Sequence, residues 1–369
     1  MALGERLKYA RNSLNLTLNE VEAQTQIGAS TLSEFENDKR EPKLVQLKSL
    51  AELYRRSLNF FLEEGELVPE VVLWREKPTT PRAEELQAQL LGLAEQYHNL
   101  EVWCEDRQNF QLPFDSGDPT HYGYSDAETL AHRVRRNLGL GERPGQILLR
   151  VLEEVCKVKV FHLSFEPTGS AASTMSSRFG AAVLLNSGNV RWRRNFDLAH
   201  ELFHLLSWRI FRQANFSGAV EPSEKEESLA GCFASVLLMP QESLVGALNA
   251  AKAGRSKLGF DDLFKVARQF DVSIEALLWR MRSVCRIQPD KIREYIESFR
   301  GQMAFWDDRE RDDPPSQPLR FRALARQALR KGMISAGRYA EYLGISRREA
   351  MQVVEQDAGD DAEVEVADP

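Results

Sequence analysis

Apolar residues return every three or four positions through the opening stretch of the chain, the spacing of one helix face, and polar breaks divide it into five short helices. The first runs through "GERLKYARNSLN" with Leu7, Ala10 and Leu14 on one side. Thr17 and Glu20 form a capping box that opens "LNEVEAQTQ". A third helix starts near Ser30, Pro42 opens a fourth, and "LNFFLEEG" closes the unit. The stretch "EEGELVPEVVLWREKPTTPRAEE" then reads as an exposed linker, anchored by Val71, Val72, Leu73 and Trp74. Behind it, "AEELQAQLLGLAEQYHNLEVWC" is strongly amphipathic, with Leu86, Leu90, Leu93 and Tyr97 one turn apart.

The pattern changes after residue 124. A capped helix "SDAETLAHRVRRNLGLG" and a second one, "PGQILLRVLEEVC", precede two short β runs, "KVKVFHLSF" and "AAVLLN". Two apolar helices follow, over "NFDLAHELFHLL" and "EESLAGCFASVLL", the second ended by Pro240. Between them "RIFRQANFSGAVEPSEKEE" is either a flap or a surface loop. A helix-turn-helix spacing in "GFDDLFKVARQFDVSIEALLWRMRSV" packs against this unit. "WDDRERDDPPSQP" is a linker by composition, and a basic segment with Ser335 and Ser346 as caps and Gly344 in its turn repeats the helix-turn-helix spacing, for internal packing or for DNA. The expected fold is mainly α with one α+β unit, because a small sheet sits beside helices. The divisions are 1–65, a five-helix domain; 66–124, linker and amphipathic helix; 125–305, the small-sheet domain; 318–355, a C-terminal helical region; and 356–369, an acidic disordered tail.

At 369 residues the chain is too long for one ordinary core. Hydrophobic residues at 43% and charged residues at 28% belong to a soluble globular protein. No apolar run approaches the roughly 18 residues that span a bilayer, and the polar start is not a signal peptide, so no membrane and a cytoplasmic location are expected. Cys104, Cys156, Cys232 and Cys285 are scattered without C-x-x-C spacing, which argues against a disulfide framework or a cysteine metal site. The net charge of −7 hides an uneven distribution, since much of the excess lies in "DAGDDAEVEVADP".

The candidate chemistry is concentrated in one helix. His200 and His204 are four apart with Glu201 between them, so both imidazoles share a face and can reach one cation. Glu201 stands about 100° round the helix, placed to touch a water on that cation rather than to ligate it. Two histidines and a glutamate on an otherwise apolar helix need partners, and a metal supplies them. In a hydrolase, zinc lowers the pKa of bound water towards about 7 and the glutamate moves its proton to the leaving amine. A third ligand is expected downstream: Glu227, which shares a face with the small residues Ala230, Gly231 and Ala234, with Glu224 as fallback. Glu221 and Glu226 read as solvated helix-start charges. His132 and His162 are expected to be structural or surface groups, and His121, Tyr122 and Tyr124 are candidates for stabilising an oxyanion.

"NFDLAHELFHLL" followed by "EESLAGCFASVLLMP" resembles the two signatures of the ImmA/IrrE metallopeptidase family, over roughly residues 125 to 285. The resemblance implies a zincin-like metallopeptidase domain with His200, His204 and Glu227 as Zn²⁺ ligands and Glu201 as general base; such ligands also accept Mn²⁺. It departs at Gly231, where the family carries Asn, and at Phe203, where smaller residues are common.

The N-terminal helices resemble the phage-repressor-like (Cro-type) helix-turn-helix family, with Ala23, Ile27 and Leu32 at the core positions of the motif. That resemblance implies binding to double-stranded DNA, with Ser30, Thr31 and Ser33 facing bases and Lys39, Arg40 and Lys43 on phosphates. Leu18 stands where such proteins often carry Gln. Over residues 1–62 nine basic residues face eight acids, so one copy binds weakly and a homodimer is expected.

Together these readings imply a DNA-binding regulator joined to a zinc endopeptidase that cleaves a helix-turn-helix repressor, or itself, in a stress or mobile-element response. Two alternatives stand beside it: a non-catalytic transcription factor whose peptidase-like domain senses a ligand or partner, and the antitoxin of a toxin–antitoxin pair.

Overall fold

The computed structural model describes residues 3–62, 70–78, 82–106, 112–165, 169–212 and 221–359. Among these lie eighteen α-helices and four strands, the mainly α fold with one small mixed sheet.

Helices α1 (Leu3–Ser13), α2 (Leu18–Thr25), α3 (Ala29–Glu36), α4 (Leu44–Leu53) and α5 (Leu58–Leu62) enclose a core of Leu7, Val21, Ile27, Leu32, Phe35, Leu50, Tyr54 and Phe60. The Thr17–Glu20 capping box forms as its residues require. Ala23 is not a core residue: it faces solvent, and Val21, fully buried on the same helix, fills the space.

After this unit come β1 (Val72–Arg75), α6 (Arg82–Trp103), α7 (Tyr124–Asn137), α8 (Leu148–Glu154), β2 (Lys159–Leu163), β3 (Ala171–Ser176) and β4 (Gly180–Asn186). The sheet order is β1-β3-β4-β2, with β2 and β4 parallel and the other pairs antiparallel. The apolar anchor expected within a linker is thus the edge strand, with Leu73 paired to Ser173 and buried. Side chains alternate across the sheet with period two. Val160, Ala171, Val183 and Leu185 face one core, and Phe161, Ala172, Ala182 and Leu184 face the other.

The first face is covered by α9 (Arg191–Leu206), α10 (Trp208–Phe211), α11 (Glu224–Leu238), α12 (Gln241–Lys252), α13 (Phe260–Phe270) and α14 (Ile274–Cys285), with α15 (Pro289–Arg309) packed outside them. No single described helix is long and apolar enough to cross a membrane; α11 and α12 have the length and composition only together, across a 61° bend, and their apolar residues lie in this core.

The second face is covered by α6 and by α16 (Leu319–Arg330), α17 (Ala336–Leu343) and α18 (Arg347–Gly359). Phe321, Leu324, Ala325 and Ala328 of α16 join Leu86, Leu90, Tyr97 and Leu100 of α6, so the C-terminal apolar face is used for internal packing. Glu101 of α6 ties the layer together by ion pairs to Lys159 of β2 at 2.9 Å and to Arg320 of α16 at 2.5 Å. Helix α18 continues to Gly359, past the start of the tail expected at 356. The rest of that tail, and residues 213–220 of the expected flap, lie outside the described residues.

The five-helix unit meets the rest at a buried four-charge joint. Arg56 and Arg178 both reach Glu70 and Glu95, and Phe60 lies under both guanidinium groups.

Candidate metal centre

Helix α9 is buried along most of its length, and His200, Glu201 and His204 are 3%, 0% and 2% exposed. The neighbouring α11 is opened by Ser223, whose hydroxyl accepts from the Glu226 N–H. That cap sets the first turn of α11 opposite the histidines. His200 Nε2 lies 3.0 Å from Glu227 Oε2, and His204 Nε2 lies 3.2 Å from Glu227 Oε1. One donor atom from each of the three side chains falls within 4.8 Å of the others, a cluster that could hold a metal ion.

Glu226 departs from its expected place. It is not a solvated helix-start charge but is 3% exposed, and its Oε1 accepts both from His204 Nδ1 at 2.9 Å and from Arg212 Nη2 at 2.6 Å. The reason is geometric: the capped first turn points this carboxylate inward, and His204 and Arg212 compensate its charge there. Burial alone would lower the pKa of His204, but its hydrogen bonds to Glu226 and Glu227 outweigh that and raise it. Burial lowers that of His200. Glu201 is pushed up to about 7 by burial, against the pull of His204 and of a hydrogen bond from Ser173. That bond runs from Ser173 Oγ to Glu201 Oε2 at 2.6 Å. Glu201 Oε1 and His200 Nδ1 have no hydrogen-bond partner among the described residues.

These residues fit a divalent cation. Two carboxylates, Glu226 and Glu227, meet the two imidazoles, Glu201 is buried within the electrostatic reach of His204, and Arg212 is ion-paired to Glu226. Two imidazoles with one carboxylate is a donor set that zinc accepts and manganese tolerates. One turn before His200, the buried Asp197 pairs with Arg75 of β1 at 2.6 Å, so the edge strand is pinned to the helix of the centre.

The remaining sequence candidates lie elsewhere. Tyr122 donates its hydroxyl to Asp115 at 2.5 Å and packs on Phe203 and Phe211. Tyr124 is exposed, and His121 is an exposed partner of Asp118. Among the described residues none of these three side chains hydrogen-bonds to the centre. His132 is exposed, while His162 is buried in the sheet and lowered to about 4 by that burial and by Arg194. Glu224 is exposed at the start of α11. A Cβ at Gly231 would meet nothing within 4 Å. The cysteines are all free thiols.

In the N-terminal unit, α2 and α3 form the helix-turn-helix pair. Ser30 is exposed and Thr31 and Ser33 half-buried on α3; Lys39, Arg40 and Lys43 are exposed beyond it. Arg40 lies 3.8 Å from Glu34. Arg11 and Arg56 are turned inward to Glu36 and to Glu70 and Glu95, and Arg6 donates to the Phe60 carbonyl.

Reading residues alone missed Ser173, Glu226 and Arg212. Ser173 carries no motif. Glu226 had one signal: a ligating histidine needs an acceptor on its second nitrogen, and a carboxylate beside the third ligand is a candidate for it.

Comparison with known proteins gives two family matches. Residues 7–61 match the family described as "Helix-turn-helix", and residues 153–282 match the "IrrE N-terminal-like domain". Among curated proteins, the HTH-type transcriptional regulator ImmR of Bacillus subtilis (strain 168) is 37% identical over 67 residues, 18% of this chain and 53% of that protein. The match thus spans about half the length of that relative. Among solved structures, the crystal structure of ComR from Streptococcus suis aligns over 98% of this chain and 97% of that one at 12% identity. Its TM-score of 0.16 carries no argument about the fold.

Proposed function

From a chain that joins an N-terminal helix-turn-helix domain to an IrrE-like peptidase domain, we propose a transcriptional regulator that carries a zinc-dependent endopeptidase. On this reading residues 1–65 bind double-stranded DNA as a homodimer in the cytoplasm. Residues 125–305 cut a peptide bond in a helix-turn-helix repressor or in the chain itself, as part of a stress or mobile-element response. The observation that carries it is that one donor atom each of His200, His204 and Glu227 lies within 4.8 Å of the others, beside a buried glutamate with one oxygen unpartnered among the described residues.

His200, His204 and Glu227 would hold the ion, zinc or in its place manganese. When bound, it supplies a Lewis acid that polarises a carbonyl and acidifies water. The work of the chain's own residues is then proton transfer and orientation. Ser173 keeps one oxygen of Glu201 turned towards β3, which leaves the other to take a proton from the attacking water and return it to the departing amine. Burial of Glu201 and both histidines excludes bulk water from that transfer. The repressor substrate is supported by the ImmA/IrrE resemblance, and the matched relative is itself a transcriptional regulator by name.

The test compares cells expressing the wild-type chain with cells expressing Glu201→Gln, scoring new protein N-termini by mass spectrometry. Termini present only with the wild type, from a repressor or from the chain itself, support the reading. Matching profiles, with and without stress, would sink the endopeptidase and favour a sensor.

A further inference from the structure

We propose that Glu226, steadied by Arg212, is a positioning residue that fixes the ring of His204 for metal binding. The proposal rests on the reading that His200, His204 and Glu227 hold a divalent cation.

Glu226 is held at both ends. Its backbone N–H is bound by Ser223 Oγ at 3.2 Å, and its carboxylate meets Arg212 and His204 within the protein. A carboxylate in the first turn of a helix is stable in water, where the helix dipole already favours it. Turning it inward has a desolvation cost that a simple cap does not require, so the inward position calls for a second role.

The geometry of His204 supplies that role. Its two ring nitrogens face two different carboxylates, Nδ1 towards Glu226 and Nε2 towards Glu227. A carboxylate on Nδ1 makes that nitrogen the donor, which leaves the Nε2 lone pair for the cation. Arg212, on the far side of the same carboxylate oxygen, holds the Glu226 rotamer in place. His200 offers the contrast: its Nδ1 has no hydrogen-bond partner among the described residues. The two histidines are therefore unequal, and His204 is the preorganised one. Among the described residues the Glu226 carboxylate is bonded to His204 and Arg212, so its effect on the centre passes through His204.

The test measures zinc affinity of the full-length protein by competition with a chromogenic chelator, for wild type, Glu226→Gln and Arg212→Met. Thermal unfolding of the zinc-free chains checks that each is folded. Loss of such an outer partner typically weakens binding about 10–100-fold, and that range is expected for Glu226→Gln with one zinc per chain retained. Arg212→Met leaves the Glu226–His204 bond in place and should weaken binding several-fold; it carries the test if Glu226→Gln does not fold. Nitrogen-15 spectra of the zinc-loaded protein add a readout: a protected His204 Nδ1 proton in wild type that exchanges freely in Glu226→Gln. Unchanged zinc affinity in the folded variants, even with lowered stability, would reduce the pair to a structural link between α10 and α11 and overturn the proposal. A wild-type chain that takes up no zinc would instead sink the reading of the centre itself, and this proposal with it.

Discussion

Ser173 Oγ donates a 2.6 Å hydrogen bond to Glu201 Oε2, joining the middle of β3 to the middle of α9 where both residues are fully buried. The other oxygen of Glu201 has no protein partner among the described residues. Ser173→Ala would leave a buried carboxylate with neither oxygen bonded, and an orphaned buried polar group costs about 1–3 kcal/mol. The variant is expected to unfold at lower temperature than wild type in the absence of metal. An unchanged midpoint would mean that Glu201 finds another partner when Ser173 is lost.

Much of the helical architecture was legible because its signals are local. The Thr17–Glu20 box, the Ser335 cap and the left-handed Gly344 appear where the residues demand them. The α6 stripe of Leu86, Leu90 and Tyr97 is buried as its period requires, although periodicity does not say that α16 would be what covers it. Strand β3 was not legible: Ala-Ala-Ser-Thr-Met-Ser carries little apolar weight, and its place in the sheet comes from pairing with β1 and β4, distant in sequence. The same non-locality hid Ser173. Glu226 was misread because first-turn carboxylates usually face solvent, and only the position of His204 and Arg212 turns this one inward.

Zinc should stabilise the folded chain by mass action, since the three candidate ligands are assembled only when α9 and α11 pack together. A ligand at about 100 times its dissociation constant adds about 2.7 kcal/mol. Thermal unfolding with added zinc should therefore rise above that in chelator. His204→Ala and Glu227→Ala should lose most of the rise, whereas Glu201→Gln should keep it. Loss of the rise in Glu201→Gln would make Glu201 a ligand and put the assignment of Glu227 in question.

Acid should loosen the second core through Glu101. Burial raises the pKa of its carboxyl, but His98, Lys159 and Arg320 outweigh burial and hold it down at about 2. A lowered folded-state value means that the group contributes stability above the unfolded value, near 4.3, and loses it as pH falls towards about 2. Over that window wild type should lose up to about 3 kcal/mol from this group. Glu101→Gln should be less stable at neutral pH and show a flatter decline between about pH 4.5 and 2. Parallel pH profiles for the two chains would contradict the assignment.

Two glycines give opposite expectations. A Cβ on Gly92 would lie 2.5 Å from the Arg55 carbonyl oxygen, so α6 touches the N-terminal unit backbone to backbone. Gly92→Ala should cost about 1–3 kcal/mol by overpacking. A Cβ on Gly231, inside α11, meets nothing within 4 Å, and Gly231→Ala should gain up to about 1 kcal/mol from helix propensity alone. Denaturant midpoints separate the two, and a destabilised Gly231→Ala would indicate that the open space beside α11 is used.

Not every positive charge of the N-terminal unit is available to DNA. Arg11 and Arg56 are committed to Glu36, Glu70 and Glu95, and Arg6 is buried against Phe60. Lys39, Arg40 and Lys43 are exposed beside α3, Arg40 within 3.8 Å of Glu34. Each phosphate neutralised adds about 0.9 to the slope of log affinity against log salt. Lys43→Ala should weaken binding to duplexes of any sequence and lower that slope by about 1. Arg11→Ala should lower stability and leave the slope as it was. Ser30→Ala, on the exposed side of α3, should change which duplexes are enriched from a random pool without changing the slope. If Lys39→Ala and Lys43→Ala both leave the salt dependence of wild type intact, the DNA surface lies away from α3, and the assignment of Ser30, Thr31 and Ser33 to base contacts falls with it.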